Sequence, residues 1–209
     1  MSRFRDINYR KHMPSLAFAF LALVALIGAG AIAIYLGLYN IAADAPHSRI
    51  TYRIIETFRE QSISAQSQSI VAPADLAAPE RIASGAGLYT EMCSGCHLAP
   101  GMEKTEISQG LYPQAPILFK GSDRSASEQF WIIKHGIKMT AMPAWGKTHD
   151  DRLVWDMVAF VRQLPRLSPV QYQQITKDAP MDHDAMMQGM KETQNARREK
   201  NPTESHESH

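Results

Sequence analysis

The chain has 209 residues, of which 44% are hydrophobic and 21% charged, a balance typical of globular proteins. Its formal net charge of +1 gives no overall basic field of the kind that attracts nucleic acid. Only two cysteines are present, at positions 93 and 96, so a disulfide framework is excluded.

An uncharged apolar stretch occupies residues 16–39. As a helix it would be about 36 Å long, enough to cross a hydrocarbon core of about 30 Å. A secretory signal has an apolar core of only about 7 to 15 residues, and no suitable cleavage site follows this stretch. We therefore predict a single retained transmembrane signal anchor, with an unusually long cleaved signal as the alternative.

Flanking charges predict the orientation of this span. The cationic side chains of residues 1–15 are Arg3, Arg5, Arg10 and Lys11, and they are opposed by Asp6. Positively charged flanks stay in the cytoplasm, so we expect the rest of the chain in the periplasm of a bacterial inner membrane.

The predicted span also carries small residues four positions apart, which are Ala25, Ala29, Ala33 and Gly37. Such a stripe allows another helix to approach closely. The alternative is chance, because Ala and Gly are frequent throughout this stretch.

Residues 40–78 are predicted to be a periplasmic connector. Its first part has apolar residues at helical spacing, namely Ile50, Ile54, Ile55 and Phe58. This segment would lie on the membrane surface or contact a partner. Residues 64–79 are rich in Ser, Gln, Ala and Pro, a composition typical of a linker.

Residues 79–170 are predicted to form an all-α domain. Its helix starts are marked by Pro79 with Glu80, by Ser125 with Glu128, and by Thr148 with Asp151. We expect the second helix to end near His135 and the third to end before Pro165. No stretch alternates like a strand, so we predict three or four helices.

The segment Cys93-Ser94-Gly95-Cys96-His97 is a C-x-x-C-H motif, the pattern of c-type haem attachment. Two thiols at this spacing form thioethers with the haem vinyl groups, and the following His becomes the proximal iron ligand. A thioredoxin-like site would need a βαβ context, and a zinc site would need further ligands. No βαβ pattern precedes the motif, and the chain has just two cysteines.

A distal iron ligand is expected in the segment 135–146. We choose Met142, because Pro143 fixes the backbone after it and restricts Met142 itself to extended conformations. Met139 is the second candidate for the distal ligand, and His135 is the third. Trp145 is expected to pack near the haem.

These motifs resemble those of the class I c-type cytochromes, the monohaem family with His/Met ligation. The residues that carry the resemblance, over roughly residues 80–168, are Gly85 and Tyr89, the C-x-x-C-H motif, Pro116, Met142 with Pro143, and Phe160. The resemblance implies a cytochrome c fold around one covalent haem. It also implies that Gly85 lets the first helix cross the last closely, and that the Pro116 carbonyl holds the ring of His97.

The function expected from these features is single-electron transfer between respiratory partners at the membrane, by a carrier that is not itself an enzyme. With two axial ligands no coordination position remains for a substrate. The chain could also be the electron-transfer subunit of an oxidoreductase complex. Two other classes remain open: a metal-handling protein, and a haem peroxidase with a displaceable Met142.

Residues 171–209 are predicted to be a polar, mostly disordered tail. Within it lie soft potential ligands for Cu(I), which are Met181, His183, Met186, Met187 and Met190. Copper binding is one interpretation of this cluster. The other is a flexible tail in which Met is tolerated.

Overall fold

The computed structural model describes residues 15–177 and residue 179. Within this part of the chain there is no strand, so the all-α prediction is confirmed. The helices are α1 (Leu16–Tyr35), α2 (Arg49–Ser67), α3 (Pro79–Met92), α4 (Ser94–His97), α5 (Glu106–Gly110), α6 (Ala126–His135), α7 (Asp151–Gln163) and α8 (Pro169–Lys177). The contacts divide the described chain into two units, which separate between Ala45 and Pro46.

The first unit is built around α1, whose start is capped by the Ser15 side chain. The helix has 20 residues and ends at Tyr35, which makes it about 30 Å long and shorter than the predicted span 16–39. Gly37 follows with a φ of +63°, a left-handed conformation that does not continue a helix. The predicted stripe of small residues therefore loses Gly37, its last member.

The second unit is organised by the crossing of α3 and α7. A Cβ atom at Gly85 would overlap the carbonyl oxygen of Asp156 and come within 2.8 Å of the Cβ atom of Phe160. Only glycine allows this approach, as the resemblance implied. Across the same contact, the Arg81 guanidinium bonds the buried Asp156 carboxylate at 2.7 Å.

Two apolar clusters each include residues of both crossing helices. In the first, Tyr89 of α3 packs against Phe160 of α7, with ring centroids 5.4 Å apart. In the second, Phe130 of α6 stacks on Trp155 of α7 at 4.2 Å. The three predicted helices therefore form the core, with α3 and α6 both contacting α7.

The helix starts were predicted well, with one error. Ser125 and Glu128 form the predicted capping box of α6, which ends at His135 as expected. The start of α7 is capped by Asp150, whose carboxylate accepts a hydrogen bond from the Leu153 N–H at 3.0 Å. Thr148 was the wrong choice, because its hydroxyl donates instead to the Trp145 carbonyl within the preceding turn.

The end of α7 also differs slightly from the prediction. The α-helix ends at Gln163, and a 3-10 turn over Leu164–Arg166 carries the chain through Pro165. A proline early in such a turn removes no backbone hydrogen bond that the turn needs.

The linker prediction for residues 64–79 was wrong. Helix α2 continues to Ser67, and the side chain of Ile63 on this helix is buried. Ile70, Ala72 and Leu76 then pack against the second apolar cluster. This segment has few apolar residues, but Ile70, Ala72 and Leu76 all pack against the domain. The segment is therefore part of the packed domain.

The boundary at residue 170 also requires correction. Helix α8 runs through residue 177, and its Tyr172 is buried in the first apolar cluster. The Tyr172 hydroxyl lies 3.1 Å from that of Thr90 on α3. Residues 171–177 therefore belong to the core and not to a polar tail.

Candidate haem site

The C-x-x-C-H motif forms the junction between α3 and α4. Cys93 is the C-cap of α3 and the N-cap of α4. Its carbonyl accepts hydrogen bonds from the N–H groups of Cys96, at 3.1 Å, and His97, at 2.9 Å. This single helical turn brings both thiols and the imidazole to the wall of one cavity. The spacing of the motif thus has a direct structural consequence.

The residue after the motif is held in an uncommon conformation. Leu98 has a φ of +60°, a backbone angle that residues other than glycine rarely adopt. The buried hydroxyl of Tyr89 donates a 2.5 Å hydrogen bond to the Leu98 carbonyl. Tyr89 therefore both packs the helix crossing and fixes the chain as it leaves the site.

The ring of His97 is oriented by a backbone carbonyl. Its Nδ1 lies 2.8 Å from the oxygen of Pro116. Because a carbonyl only accepts, Nδ1 must carry the proton and Nε2 keeps its lone pair. Burial lowers the pKa of His97, and the Pro116 contact offsets this in part, so the site favours the neutral imidazole. A neutral ring with Nε2 unprotonated is what an iron ligand requires.

Met142 lies on a short loop after α6 that is fixed by its own backbone. The Met142 carbonyl accepts a hydrogen bond from the Ile137 N–H at 3.2 Å, and its N–H donates to the Thr140 hydroxyl at 3.1 Å. Gly136 has a φ of +66° and lies very close to the Met142 backbone. A Cβ atom at Gly136 would come within 2.7 Å of the Met142 carbonyl oxygen. The loop thus has little freedom to move.

The other sequence-predicted residues fall in different places. Trp145 lines the same cavity as Met142, together with Pro116. Met139, the rival ligand, is 99% exposed at the tip of the turn and does not line the cavity. His135 is exposed at the end of α6, where it contacts Trp131 and lines a separate surface cleft.

The cavity between these walls has a volume of about 320 Å³ and a largely apolar lining. The cysteines and His97 reach the cavity from the turn around α4, and Met142 reaches it from the loop after α6. A c-type haem requires two thiols for its vinyl groups, an imidazole and a thioether for its iron, and an apolar space for its macrocycle. The described residues therefore fit this group.

The two thiols differ in their surroundings. Burial, with the neighbouring Cys96 as a smaller contribution, raises the pKa of Cys93 to about 12. The unreacted thiol is therefore protonated at pH 7 and is not a spontaneous nucleophile.

A comparison with families of known proteins matches residues 80–161 to the family described as "Cytochrome C oxidase, cbb3-type, subunit III". These residues form a c-type cytochrome domain. No curated protein and no solved structure gives a match to this chain. The domain implies haem c as the cofactor, redox proteins as partners and electron transfer as the activity, and electron carriers of this kind are not themselves enzymes.

The cytochrome domain is accompanied by a helix suited to a membrane. Over its most apolar window, α1 has a mean hydropathy of 2.6, and none of its residues is buried. Its length of about 30 Å equals the thickness of a typical hydrocarbon core. These properties fit a transmembrane helix.

The polar residues that line the cytochrome cavity and that sequence reasoning missed include Arg59, Arg124 and Gln129. Arg59 lies on α2, outside the segment matched by the family. The only local signal was the acidic residues around it at helical spacing, Glu56 and Glu60. That pattern predicts surface ion pairs and says nothing about a cavity.

Proposed function

We propose that this protein carries single electrons between respiratory partners as a membrane-tethered monohaem cytochrome. One observation carries the proposal: Cys93, Cys96, His97 and Met142 line one apolar cavity, and the contact of His97 Nδ1 with the Pro116 carbonyl leaves Nε2 free. When bound, haem supplies an iron that gains and loses one electron. The chain's residues would hold this iron in both states.

The proposed ligands have distinct roles. Cys93 and Cys96 would attach one haem through thioethers, and His97 and Met142 would fill the two axial positions. A thioether ligand favours ferrous iron and raises the reduction potential. With both axial positions filled, the chain would offer no coordination site to a substrate, which separates a carrier from a peroxidase.

A spectroscopic titration of the full chain in detergent tests this assignment. We expect one reversible step with n = 1 in the visible spectrum. Carbon monoxide added to the reduced protein should leave the spectrum unchanged. Prompt binding of carbon monoxide by the wild-type protein would contradict the proposed ligation and favour an enzyme or a gas-binding protein.

The membrane tether is proposed from α1 and from the basic residues that precede it. Those residues, within 1–14, lie outside the described part of the chain. We propose that the N-terminus is cytoplasmic and that the cytochrome domain lies in the periplasm of a bacterial inner membrane. The family match also suggests an electron-transfer subunit of an oxidase complex as a variant of this function.

Protease digestion of intact spheroplasts tests the orientation. Protease added outside should remove the cytochrome domain, and it should leave a cytoplasmic tag at the N-terminus intact. A chain lacking residues 1–45 but carrying a cleavable export signal should be recovered in the soluble periplasmic fraction. Recovery of this shortened chain with the membrane would argue against α1 as the anchor.

The copper prediction concerns Met181, His183, Met186, Met187 and Met190, all outside the described residues. It stays a prediction. Titration of Cu(I) into the full chain and into a chain ending at Lys177 would decide it. Equal, weak binding by both chains would remove the metal-handling alternative.

A further inference from the structure

The charged residues that line the cytochrome cavity, apart from the haem-ligand motif, are all cationic. They are Arg59 of α2 and Arg124, which precedes α6, and no Asp or Glu is among the described lining residues. Such a lining complements a dianionic group inside an otherwise apolar space. Haem carries two propionates in addition to its apolar macrocycle.

Carboxylates behind the two arginines hold both guanidinium groups. Nη2 of Arg124 donates to both oxygens of Glu60, at 2.7 and 2.8 Å, and Nε of Arg59 donates to the same carboxylate at 3.2 Å. Nη2 of Arg59 also donates to Glu56 at 2.6 Å. Neither glutamate lines the cavity, so the acidic groups lie behind the arginines and orient them.

Each arginine keeps donors that these carboxylates do not use. Among the described residues, Nη1 of Arg59 and Nε of Arg124 have no hydrogen-bond partner. An arginine has five N–H donors in a fixed fork, and it pairs well with carboxylates. Both side chains are about three-quarters buried, with 23% and 28% of their surface exposed, so their orientation is constrained.

A third donor lies beside the arginines. Gln129 of α6 is only 7% exposed, and its Oε1 accepts a hydrogen bond from Nη1 of Arg162 at 3.4 Å. This contact leaves Nε2 of Gln129 without a hydrogen-bond partner among the described residues, and Gln129 is one of the residues that line the cavity. An amide N–H group at a cavity wall is available to an acceptor on a ligand.

We propose that Arg59, Arg124 and Gln129 bind a haem propionate, which makes α2 part of the haem site and a determinant of its reduction potential. This inference rests on the proposed function, because it requires a haem in the cavity. Two cations beside the haem stabilise the ferrous state, which carries one positive charge less than the ferric state. A helix outside the family-matched segment therefore adjusts the potential of this carrier.

The test uses the full chain with covalent haem, in detergent, with Arg59→Gln, Arg124→Gln and the control Arg53→Gln. Arg53 is exposed on the same helix and does not line the cavity. Loss of Arg59 or Arg124 should lower the equilibrium constant for haem reduction about tenfold, or about 59 mV for a one-electron couple. Arg53→Gln should leave it near the wild-type value, and Arg59→Lys should restore part of the loss.

Further readouts separate propionate binding from a merely structural role. Arg59→Gln and Arg124→Gln should shift the propionate bending band in the resonance Raman spectrum, and Arg53→Gln should not. Glu60→Gln removes the shared carboxylate but keeps both arginines, so it should weaken α2 docking without lowering the potential. If one glutamine variant fails to mature, the other carries the test.

The experiment distinguishes failure of the proposed function from failure of propionate binding. Absence of covalent haem in the wild-type chain would overturn the proposed function itself. Covalent haem with equal potentials in Arg59→Gln, Arg124→Gln and Arg53→Gln would overturn only this inference, and the arginines would then serve to dock α2.

Discussion

The imidazole of His97 is held in one tautomer by a group that mutation cannot delete, since the acceptor is the backbone carbonyl of Pro116. The proline contributes by fixing the direction of that carbonyl. Orientation of a ligand by its outer partner commonly affects metal affinity as strongly as a change in the ligand itself. Met142 is fixed in an analogous way, by Ile137 and Thr140.

Replacement of Met142 by Ala should open the distal iron position. We expect the reduced Met142→Ala protein to bind carbon monoxide and its reduction potential to fall, because a thioether ligand favours the ferrous state. Visible spectroscopy of the reduced protein under carbon monoxide measures this directly. The control is Met139→Ala, since that side chain is 99% exposed; carbon monoxide binding by the control alone would reverse the assignment.

Gly85→Ala should destabilise the domain at the crossing of α3 and α7. The added methyl group would overlap the backbone of Asp156, which cannot move without shifting the helix. We expect a loss of about 3 kcal/mol in the free energy of unfolding, at the upper end for overpacked sites. Denaturant titration measures it, with Gly110→Ala as the control, because a Cβ there meets nothing within 4 Å. Equal stability of both variants would contradict the close crossing.

At this scale the sequence predicted the residues whose chemistry depends on local spacing. Cys93, Cys96 and His97 lie within one helical turn, so their convergence follows from the motif alone. Arg59 and Arg124 were not predictable in the same way. They are 65 positions apart in sequence, and the contact that joins them through Glu60 is tertiary.

Among the helices, α2 departs furthest from its expected role. The apolar residues that suggested a docking face remain about half or more exposed: Ile50 at 74%, Ile54 at 53%, Ile55 at 49% and Phe58 at 75%. The contact with the domain is made instead by Ile63 and by the ion pair of Glu60 with Arg124. Contact of the exposed face with a membrane or a partner stays a prediction.

The pairing of Glu60 predicts an acid-dependent loss of stability. Burial raises the pKa of Glu60, but the hydrogen bonds and charges of Arg124 and Arg59 outweigh it, so the pKa lies below its usual 4.5. A carboxyl with a depressed folded-state pKa contributes stability above the unfolded pKa and loses it as pH falls through the folded pKa. The loss should therefore appear below about pH 4.5.

Unfolding titrations at pH 6 and pH 3.5, on wild type and on Glu60→Gln, measure this contribution. Because 40% of the Glu60 side chain is exposed, we expect less than about 1 kcal/mol, and the glutamine variant should lack that part of the pH dependence. Glu91→Gln, a change at an exposed position on α3, is the control. The same acid sensitivity in wild type and Glu60→Gln would contradict the account.

Helix boundaries followed from capping residues where these act locally, as at Pro79 and at the Ser125–Glu128 box. The prediction failed where a tertiary contact decided the outcome. Tyr172 of α8 packs in the first apolar cluster, and Ile70 of the predicted linker packs against the second. Composition alone gave both segments a polar, loop-like character.

In the whole molecule, a helix suited to a membrane precedes a small cytochrome domain. The class of fold and the cofactor were predictable because C-x-x-C-H is the five-residue pattern of c-type haem attachment. The extent of the domain was not, because a small core recruits flanking segments, here α2 and α8, to bury more apolar surface. The cavity that would hold the haem is lined by residues that pack against both apolar clusters, among them Cys93 and Met142.

Covalent haem attachment is the claim on which the rest of the account depends. The most direct measurement is the intact mass of the full chain under denaturing conditions, after expression with a c-type cytochrome maturation system. The account predicts the chain mass plus one haem, and the mass of the chain alone for the Cys93→Ala, Cys96→Ala double variant. A wild-type chain of unmodified mass, with both thiols free or joined to each other, would contradict it.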